Sequence, residues 1–245
     1  MPRYFIEVAY KGTVYSGFQV QQNAVTIQSE IEKALFICFK QTFSLTGASR
    51  TDAGVHALQN FFHFDREEIL IDDTRKIYSL NAILPKDIVI KRIFRVEDNA
   101  HCRFDAVARE YKYYIYRDKN PFLQDRGYYF PYKIDIDKLN EAASLIMKHK
   151  DFTTFSKRNT QVKNFICTIL KSEWIVEENR LAYHVKSNRF LRGMVKGLVG
   201  TMLMVGTNKI SLTNFNSIIN NRDCTKANFS VPAHALFLIK VAYNE

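Results

Sequence analysis

Residues 47–57 read Gly-Ala-Ser-Arg-Thr-Asp-Ala-Gly-Val-His-Ala, between Phe43-Ser44-Leu45-Thr46 and Gln59-Asn60-Phe61-Phe62-His63-Phe64. Both flanking runs are rich in aromatic and β-branched residues, so the pattern predicts a strand, a loop and a strand. Gly47 and Gly54 give backbone freedom at the two ends of the loop. Taken alone, Asp52-Ala53-Gly54 reads as an ordinary turn in which Asp bonds its own backbone and Gly takes a positive φ. Arg50, two residues earlier, adds a second reading. A carboxylate on an exposed loop is kept ionised beside a guanidinium that is available for phosphate or base stacking. Loops commonly carry such chemistry.

Around that loop, 245 residues with 47% hydrophobic and 13% aromatic content are ample for a packed core. Only 9 Gly and 5 Pro leave no room for a long low-complexity linker. The net charge of +10 is unevenly placed: residues 1–100 hold 12 Lys+Arg against 12 Asp+Glu, and residues 101–245 hold 23 against 13. A basic half beside a neutral one points to a polyanionic partner, nucleic acid first, although a ribosome-associated or membrane-surface protein shares this composition. Cys38, Cys102, Cys167 and Cys224 form no Cys-x-x-Cys pair, and the histidines show no His-x-x-x-His spacing. The spacing therefore indicates neither a metal site nor a disulfide framework, and the cysteines are expected to be buried thiols. The N-terminal Met-Pro-Arg-Tyr-Phe-Ile-Glu has no apolar signal region. The longest mostly apolar run, between Lys196 and Lys209, is about a dozen residues, short of the ~20 that a spanning helix needs. A cytoplasmic protein without a membrane partner is expected.

Along the chain, Tyr4 to Tyr10 predicts a strand, followed by the loop Lys11-Gly12-Thr13-Val14-Tyr15-Ser16-Gly17-Phe18-Gln19. Its glycines have the spacing of a phosphate loop, but Phe18-Gln19 stand where Lys and Ser/Thr are required, so no nucleotide cofactor is expected. Thr26 is a candidate N-cap for a helix that buries Ile27, Ile31, Leu35 and Phe39. Asp72 to Ile83 predicts a second helix, Pro85 a stop, and Ile88 to Val96 a strand. In the strand that follows residue 105, Tyr111, Tyr113 and Ile115 share one face. A tyrosine-rich strand reads first as a sheet packed on helices and second as an RNA surface. Ile136 to Lys148 predicts an amphipathic helix with Leu139, Ala143, Ile146 and Met147 inward, followed by strands at 166–177 and 181–187. The basic loop at 156–163 is a candidate phosphate contact or a solvated loop. Asn188 begins a helix with Arg189 and Arg192 in its N-terminal turn. Ser211 to Asn221 predicts a capped helix, and Leu236 to Tyr243 a closing strand.

Arg50-Thr51-Asp52-Ala53-Gly54-Val55-His56-Ala57 strongly resembles the catalytic loop of the tRNA pseudouridine synthase A family, in which the Asp is essential. Tyr10 to Gln19 is similar to the family's Tyr-Asp-Gly-Thr-x-Tyr-x-Gly-Trp/Phe-Gln, with Lys11 in place of the acid. Asn81, Leu84, Pro85, Asp87 and Ile88 resemble Leu-Asn-x-x-Leu-Pro-x-Asp-Ile, and His101, Arg103 and Phe104 resemble His-Ala-Arg-Phe. Arg109-Glu110-Tyr111 aligns with Arg-x-Tyr, and Asp151 to Phe155 with a short family motif. The stretch from Asn188 resembles Asn-x-Phe-x-x-x-Met-Val-Arg with Lys196 for the Arg, and Val231 to Leu238 resembles Ala-Pro-x-x-Gly-Leu-x-Leu with Ala235 for the Gly.

The resemblance runs from Tyr10 to Tyr243. It implies an α+β pseudouridine synthase fold: two α/β halves, each with a mostly antiparallel mixed sheet flanked by helices, and a cleft between them. Residues 1–105 would carry the Asp loop and residues 106–245 the basic half, a division that the charge supports. By the same resemblance Asp52 is the catalytic residue, as nucleophile or base, Tyr111 stacks on the target base as a candidate general base, and Lys196 supports Asp52. Lysine would do so as a point charge, because it lacks arginine's bidentate fork. Arg50, Arg103, Arg189, Arg192 and Leu236 are implied contacts to substrate or RNA. No cofactor and no metal is implied. The implied partners are tRNA, through uridine in its anticodon stem-loop, and a second copy of the chain in a homodimer. Lys11, Lys196 and Ala235 mark a divergent member. Two alternatives therefore stand beside the enzyme reading: a weakly active or inactive RNA-binding protein or tRNA chaperone, and a synthase with another RNA target.

Overall fold

Aromatic and β-branched runs form the strands of the protein, and capped apolar periodicities form its helices. The computed structural model describes residues 1–67, 74–158 and 162–244. Its strands are β1 (Arg3–Tyr10), β2 (Thr46–Gly47), β3 (His56–Asp65), β4 (Ile88–Val96), β5 (Ala106–Tyr116), β6 (Tyr128–Tyr129), β7 (Ile169–Glu177), β8 (Arg180–Ser187) and β9 (Leu236–Tyr243). Its α-helices are α1 (Ile27–Phe39), α2 (Thr74–Ile83), α3 (Ile136–Ile146), α4 (Met194–Gly206) and α5 (Leu212–Asn220). Asp72 and Asp73, expected to open the second helix, and residues 159–161 of the basic loop lie outside the described residues. No helix among the described residues is long and apolar enough to cross a membrane.

The chain divides into two compact units, residues 1–107 with 237–245 and residues 108–236. In the first, β1 lies between β3 and β4 and is antiparallel to both, with Ile6 opposite Phe62 and Phe5 opposite Phe94. β2 adds two residues to β3, and β9 runs parallel to β3 through His56↔Phe237 and Ala57↔Leu238. Both faces of β1 are covered. Tyr4 and Ile6 are inaccessible on one face, and on the other Phe5 meets Phe94 at 5.9 Å and Tyr243 at 5.6 Å between ring centroids. α1 starts at a reciprocal cap: Ser29 N–H donates to Thr26 Oγ1 at 3.2 Å, and Thr26 N–H donates to Ser29 Oγ at 3.0 Å. Such a cap contributes about 1 kcal/mol. Ile27, Ile31 and Leu35 are buried as the spacing predicts, while Phe39 is half-buried with the Arg66 guanidinium over its ring.

The sequence reading leaves everything after residue 105 in the second half. By packing, residues 237–245 belong with the first. Beyond its pairing with β3, β9 is tied there by Val241 N–H donating to Gln59 Oε1 at 3.2 Å and Tyr243 Oη donating to Cys102 O at 2.6 Å.

In the second unit β5, β8 and β7 pair antiparallel in that order, aligning Tyr113, Tyr183 and Trp174, and β6 lies parallel on β5. Asn140 pins α3 to β7, accepting Trp174 N–H at 2.8 Å and donating to Trp174 O at 3.1 Å. Apart from Lys196 and Thr201, α4 is apolar all round, and eleven of its thirteen residues are buried, as a helix enclosed by its own unit requires. Each Leu, Val or Met buried there contributes about 1.5–3 kcal/mol. A Cβ at Gly200 would stand 2.1 Å from Asn228 O, so glycine lets that segment lie directly on the helix. α5 is capped by Ser211, whose Oγ accepts Asn214 N–H at 3.1 Å.

Each unit thus has a mostly antiparallel sheet with one parallel pair, and helices beside it, an α+β arrangement. Three local expectations change. Met147 is 46% exposed because α3 ends at Ile146, and Ala142 takes the inward position. The strand expected at Phe43 shrinks to Thr46–Gly47, although Phe43 and Leu45 are buried. Cys38 and Cys224 are half-buried, whereas Cys102 and Cys167 are fully buried.

Candidate active site

In the first unit, Asp52 begins a turn closed by Val55 N–H donating to Asp52 O at 3.2 Å, with Gly54 at φ 81°. The turn is held from several sides by uncharged groups. Asn60, fully buried, donates from Nδ2 to Ser49 O at 2.8 Å and to Tyr10 Oη at 3.1 Å, and Tyr10 Oη pairs with Thr51 Oγ1 at 2.7 Å. Phe18 N–H donates to Thr51 O at 3.1 Å, and Gly12 N–H to His56 Nδ1 at 3.0 Å. His56 is itself buried, its ring 4.5 Å from that of Phe237.

The glycines explain how the 11–19 loop comes so close. A Cβ at Gly12 would stand 2.0 Å from Val55 O, and Gly17 takes φ 101° beside Thr51 O. Gly47 keeps an ordinary φ. It is required for space instead, because a Cβ there would meet Phe18 Cε1 at 2.2 Å. The 11–19 loop is anchored in turn, by Lys11 N–H donating to Asp87 O at 2.8 Å and Tyr15 Oη donating to Asp87 Oδ1 at 2.6 Å. Burial, and then that hydrogen bond, push the Tyr15 phenol well above its ordinary value.

What this scaffold presents is a half-buried carboxylate. Among the described residues no hydrogen bond or ion pair engages the Asp52 carboxylate or the exposed Arg50 guanidinium, so the expected Arg50–Asp52 support is absent within this loop.

In the second unit, Tyr111 lies opposite Val185, half-buried, with its ring edge-on to Phe190 at 5.0 Å. The segment carrying Phe190 is fixed by Asn188, whose Oδ1 accepts Thr168 N–H at 2.8 Å and whose backbone O accepts from Arg109 Nη1 at 3.3 Å. Arg192 O accepts Lys157 N–H at 3.0 Å. The helix expected from Asn188 begins only at Met194, because Gly193 takes φ 74°, a left-handed conformation that a right-handed helix cannot continue through. Arg189 and Arg192 therefore lie on the approach to α4, and Lys196 lies in its first turn. A cation there opposes the helix dipole by about 0.3–1 kcal/mol. Three cations thus fall within eight residues at the start of α4.

Arg50 and Asp52 thus share one loop of the first unit, while Tyr111, Arg189, Arg192 and Lys196 gather around β5 and the approach to α4 in the second. Arg103 and Leu236 belong to neither group. Arg103 is exposed over the Phe104 ring, and Leu236 is buried at the start of β9. Ala235, just before it, is fully buried and outside the left-handed region, so alanine fits without backbone strain. Sequence reasoning passed over Asn60, Thr51, His56 and Phe190. Asn60 did carry a signal: an amide set among the aromatics of a buried strand must have hydrogen-bond partners.

The profile of the family described as tRNA pseudouridine synthase matches residues 6–105 and 142–244, which include Arg50, Asp52 and Lys196 but not Tyr111. A protein of Azobacteroides pseudotrichonymphae genomovar. CFP2 named tRNA pseudouridine synthase A is 43% identical over 243 residues, covering 99% of this chain and 97% of that protein. One of the same name from Bacteroides fragilis is 44% identical over 242 residues, 98% of this chain and 96% of its own. Another from Staphylococcus aureus strain N315 is 34% identical over 245 residues, 99% of this chain and 91% of its own.

Proposed function

This chain belongs to the tRNA pseudouridine synthase family, and from that premise we propose that it isomerises uridine to pseudouridine in the anticodon stem-loop of tRNA, with Asp52 as its catalytic residue. The reaction breaks the N1–C1′ bond, turns the uracil and joins C5 to C1′, with no net redox change and no cofactor. It calls for an ionised carboxylate acting at C1′ or at the 2′ hydrogen, a nearby cation, an aromatic platform and extrusion of the nucleotide from its stack. Asp52 supplies the carboxylate, Tyr111 the platform and a base for the C5 proton, Lys196 the supporting charge, and Arg50 a hold on the extruded nucleotide. Arg103, Arg189, Arg192 and Leu236 contact the RNA. The protein acts as a homodimer in the cytoplasm.

The observation that carries this reading is the Asp52 turn, a carboxylate with no side-chain partner among the described residues on a loop braced by Asn60, Tyr10, Gly12 and Phe18. The Asp52→Asn variant should form no pseudouridine in a tritium-release assay while binding tRNA within a few fold of the parent. Retained turnover would refute the assignment. The tRNA-chaperone reading draws on Lys196 and Ala235, but Lys196 keeps the charge and Ala235 carries no strain. Pseudouridine mapping after incubation with unmodified tRNA separates the two, since binding without product favours the chaperone.

A further inference from the structure

β3 leaves the Asp52 loop and carries His63 to a second cluster that plays no part in the reaction above. His63 and Cys102, both buried, and His101, half-buried, each place a ligand-capable atom within 4.8 Å of the other two. His63 Nδ1 is 3.1 Å from Cys102 Sγ, and the two imidazole rings meet edge-on with centroids 4.6 Å apart. His63 Nδ1 accepts Cys102 N–H at 3.3 Å, and His101 Nδ1 accepts Arg103 N–H at 3.1 Å. Both rings therefore carry an unprotonated Nδ1, whose lone pair now accepts a backbone N–H that a metal ion would displace. Burial, reinforced by Arg3, lowers the His63 imidazole to about 4, so it is a neutral donor at pH 7. Arg3 is itself balanced by Asp65, at 2.6 and 2.8 Å.

One thiol and two neutral imidazoles are the donor set of a borderline-soft cation, not of magnesium or calcium. Thr46, whose backbone O accepts the Cys102 thiol at 3.1 Å, and His63 both line a cavity of about 640 Å³. We propose that His63, His101 and Cys102 bind one zinc ion, with water in the fourth position. With zinc bonds of about 2.0–2.3 Å, tetrahedral ligand atoms lie roughly 3.5 Å apart. The His63–Cys102 pair already spans about that distance, and the half-buried His101 ring closes the remainder by rotation. Binding releases the Cys102 thiol proton to solvent, forms the Zn–S bond and involves no redox change. Spacing in the sequence conceals the site because His63 and Cys102 are 39 residues apart and meet only in the folded unit.

The test uses full-length protein stripped with chelator and titrated first with cobalt(II), then with zinc(II). One equivalent of cobalt should give a thiolate-to-metal charge-transfer band and tetrahedral d–d bands, which zinc abolishes. Cys102→Ala, which restores the alanine of the His-Ala-Arg-Phe motif, should lose the charge-transfer band and bind zinc at least about 10-fold more weakly. His101→Ala, at a half-buried position, should weaken zinc to a similar degree. The same spectrum in Cys102→Ala, or no cobalt band in the parent, overturns the proposal. Should Cys102→Ala lose its near-ultraviolet circular dichroism, Cys102→Ser decides by the same two readouts.

Discussion

The turn that presents Asp52 is braced by uncharged groups, the Asn60 amide, the Tyr10 and Thr51 hydroxyls, the His56 ring and backbone N–H groups. The approach to α4 and its first turn carry cations instead: Arg189, Arg192 and Lys196 lie near the positive end of the helix dipole. Neutral hydrogen bonds fix position without adding a field, and they are not screened by salt. Cations attract a polyanion over about a Debye length, with little geometric precision. Under the proposed function the contrast separates placing one carboxylate from gathering phosphates at Arg189 and Arg192, and the charge count agrees, since residues 1–100 are neutral and residues 101–245 carry the excess.

The largest effect should come from breaking the placement. In Gly12→Ala the new Cβ would overlap Val55 O, at 2.0 Å, and displace the Asp52 turn. A displacement of about 1 Å should cost about 100-fold in single-turnover rate, with tRNA affinity kept within a few fold. An unaffected rate would show that the bracing does not set the geometry of the reaction.

A smaller effect should come from acid acting on His63 in the first unit. His63 titrates near 4 when folded, against about 6.5 when unfolded. As pH falls, the unfolded chain therefore takes up the proton first. The His63 contribution is complete above pH 6.5 and is lost as pH drops through 4, at about 1–3 kcal/mol. Urea midpoints measured with chelator between pH 7 and 4 should show this slope, and His63→Gln should flatten it.

The smallest effect belongs to the cations. Arg189→Gln and Arg192→Gln should each weaken tRNA binding by a few fold and reduce the log–log salt slope by about 0.7 per lost phosphate contact. Rate at saturating tRNA should be unchanged. A fall in that rate with an unaltered salt slope would assign these arginines to chemistry instead.

Most of the fold could be read from the chain because β1, α1, β4, β8 and α5 are each specified locally, by alternation or by a cap with an apolar face. The limits of legibility are equally physical. The start of α4 depends on a left-handed Gly193, which composition alone does not reveal among the glycines around it. The role of Gly47 depends on the ring of Phe18, 29 positions earlier. Arg50, Asp52, Tyr111 and Lys196 were found through motif resemblance, whereas the brace of Tyr10, Thr51 and Asn60 spans 50 positions between its ends and appears only in the folded chain.

β9 lies beside the first residues of β3, its Phe237 packed on His56 and its Tyr243 on Phe5. During translation the Asp52 loop leaves the ribosome long before β9, so the pairing of β3 with β9 must wait until β9 is made. A nascent chain still lacking β9 would leave the start of β3 without that partner and His56 without the Phe237 ring, so a site made early is finished late.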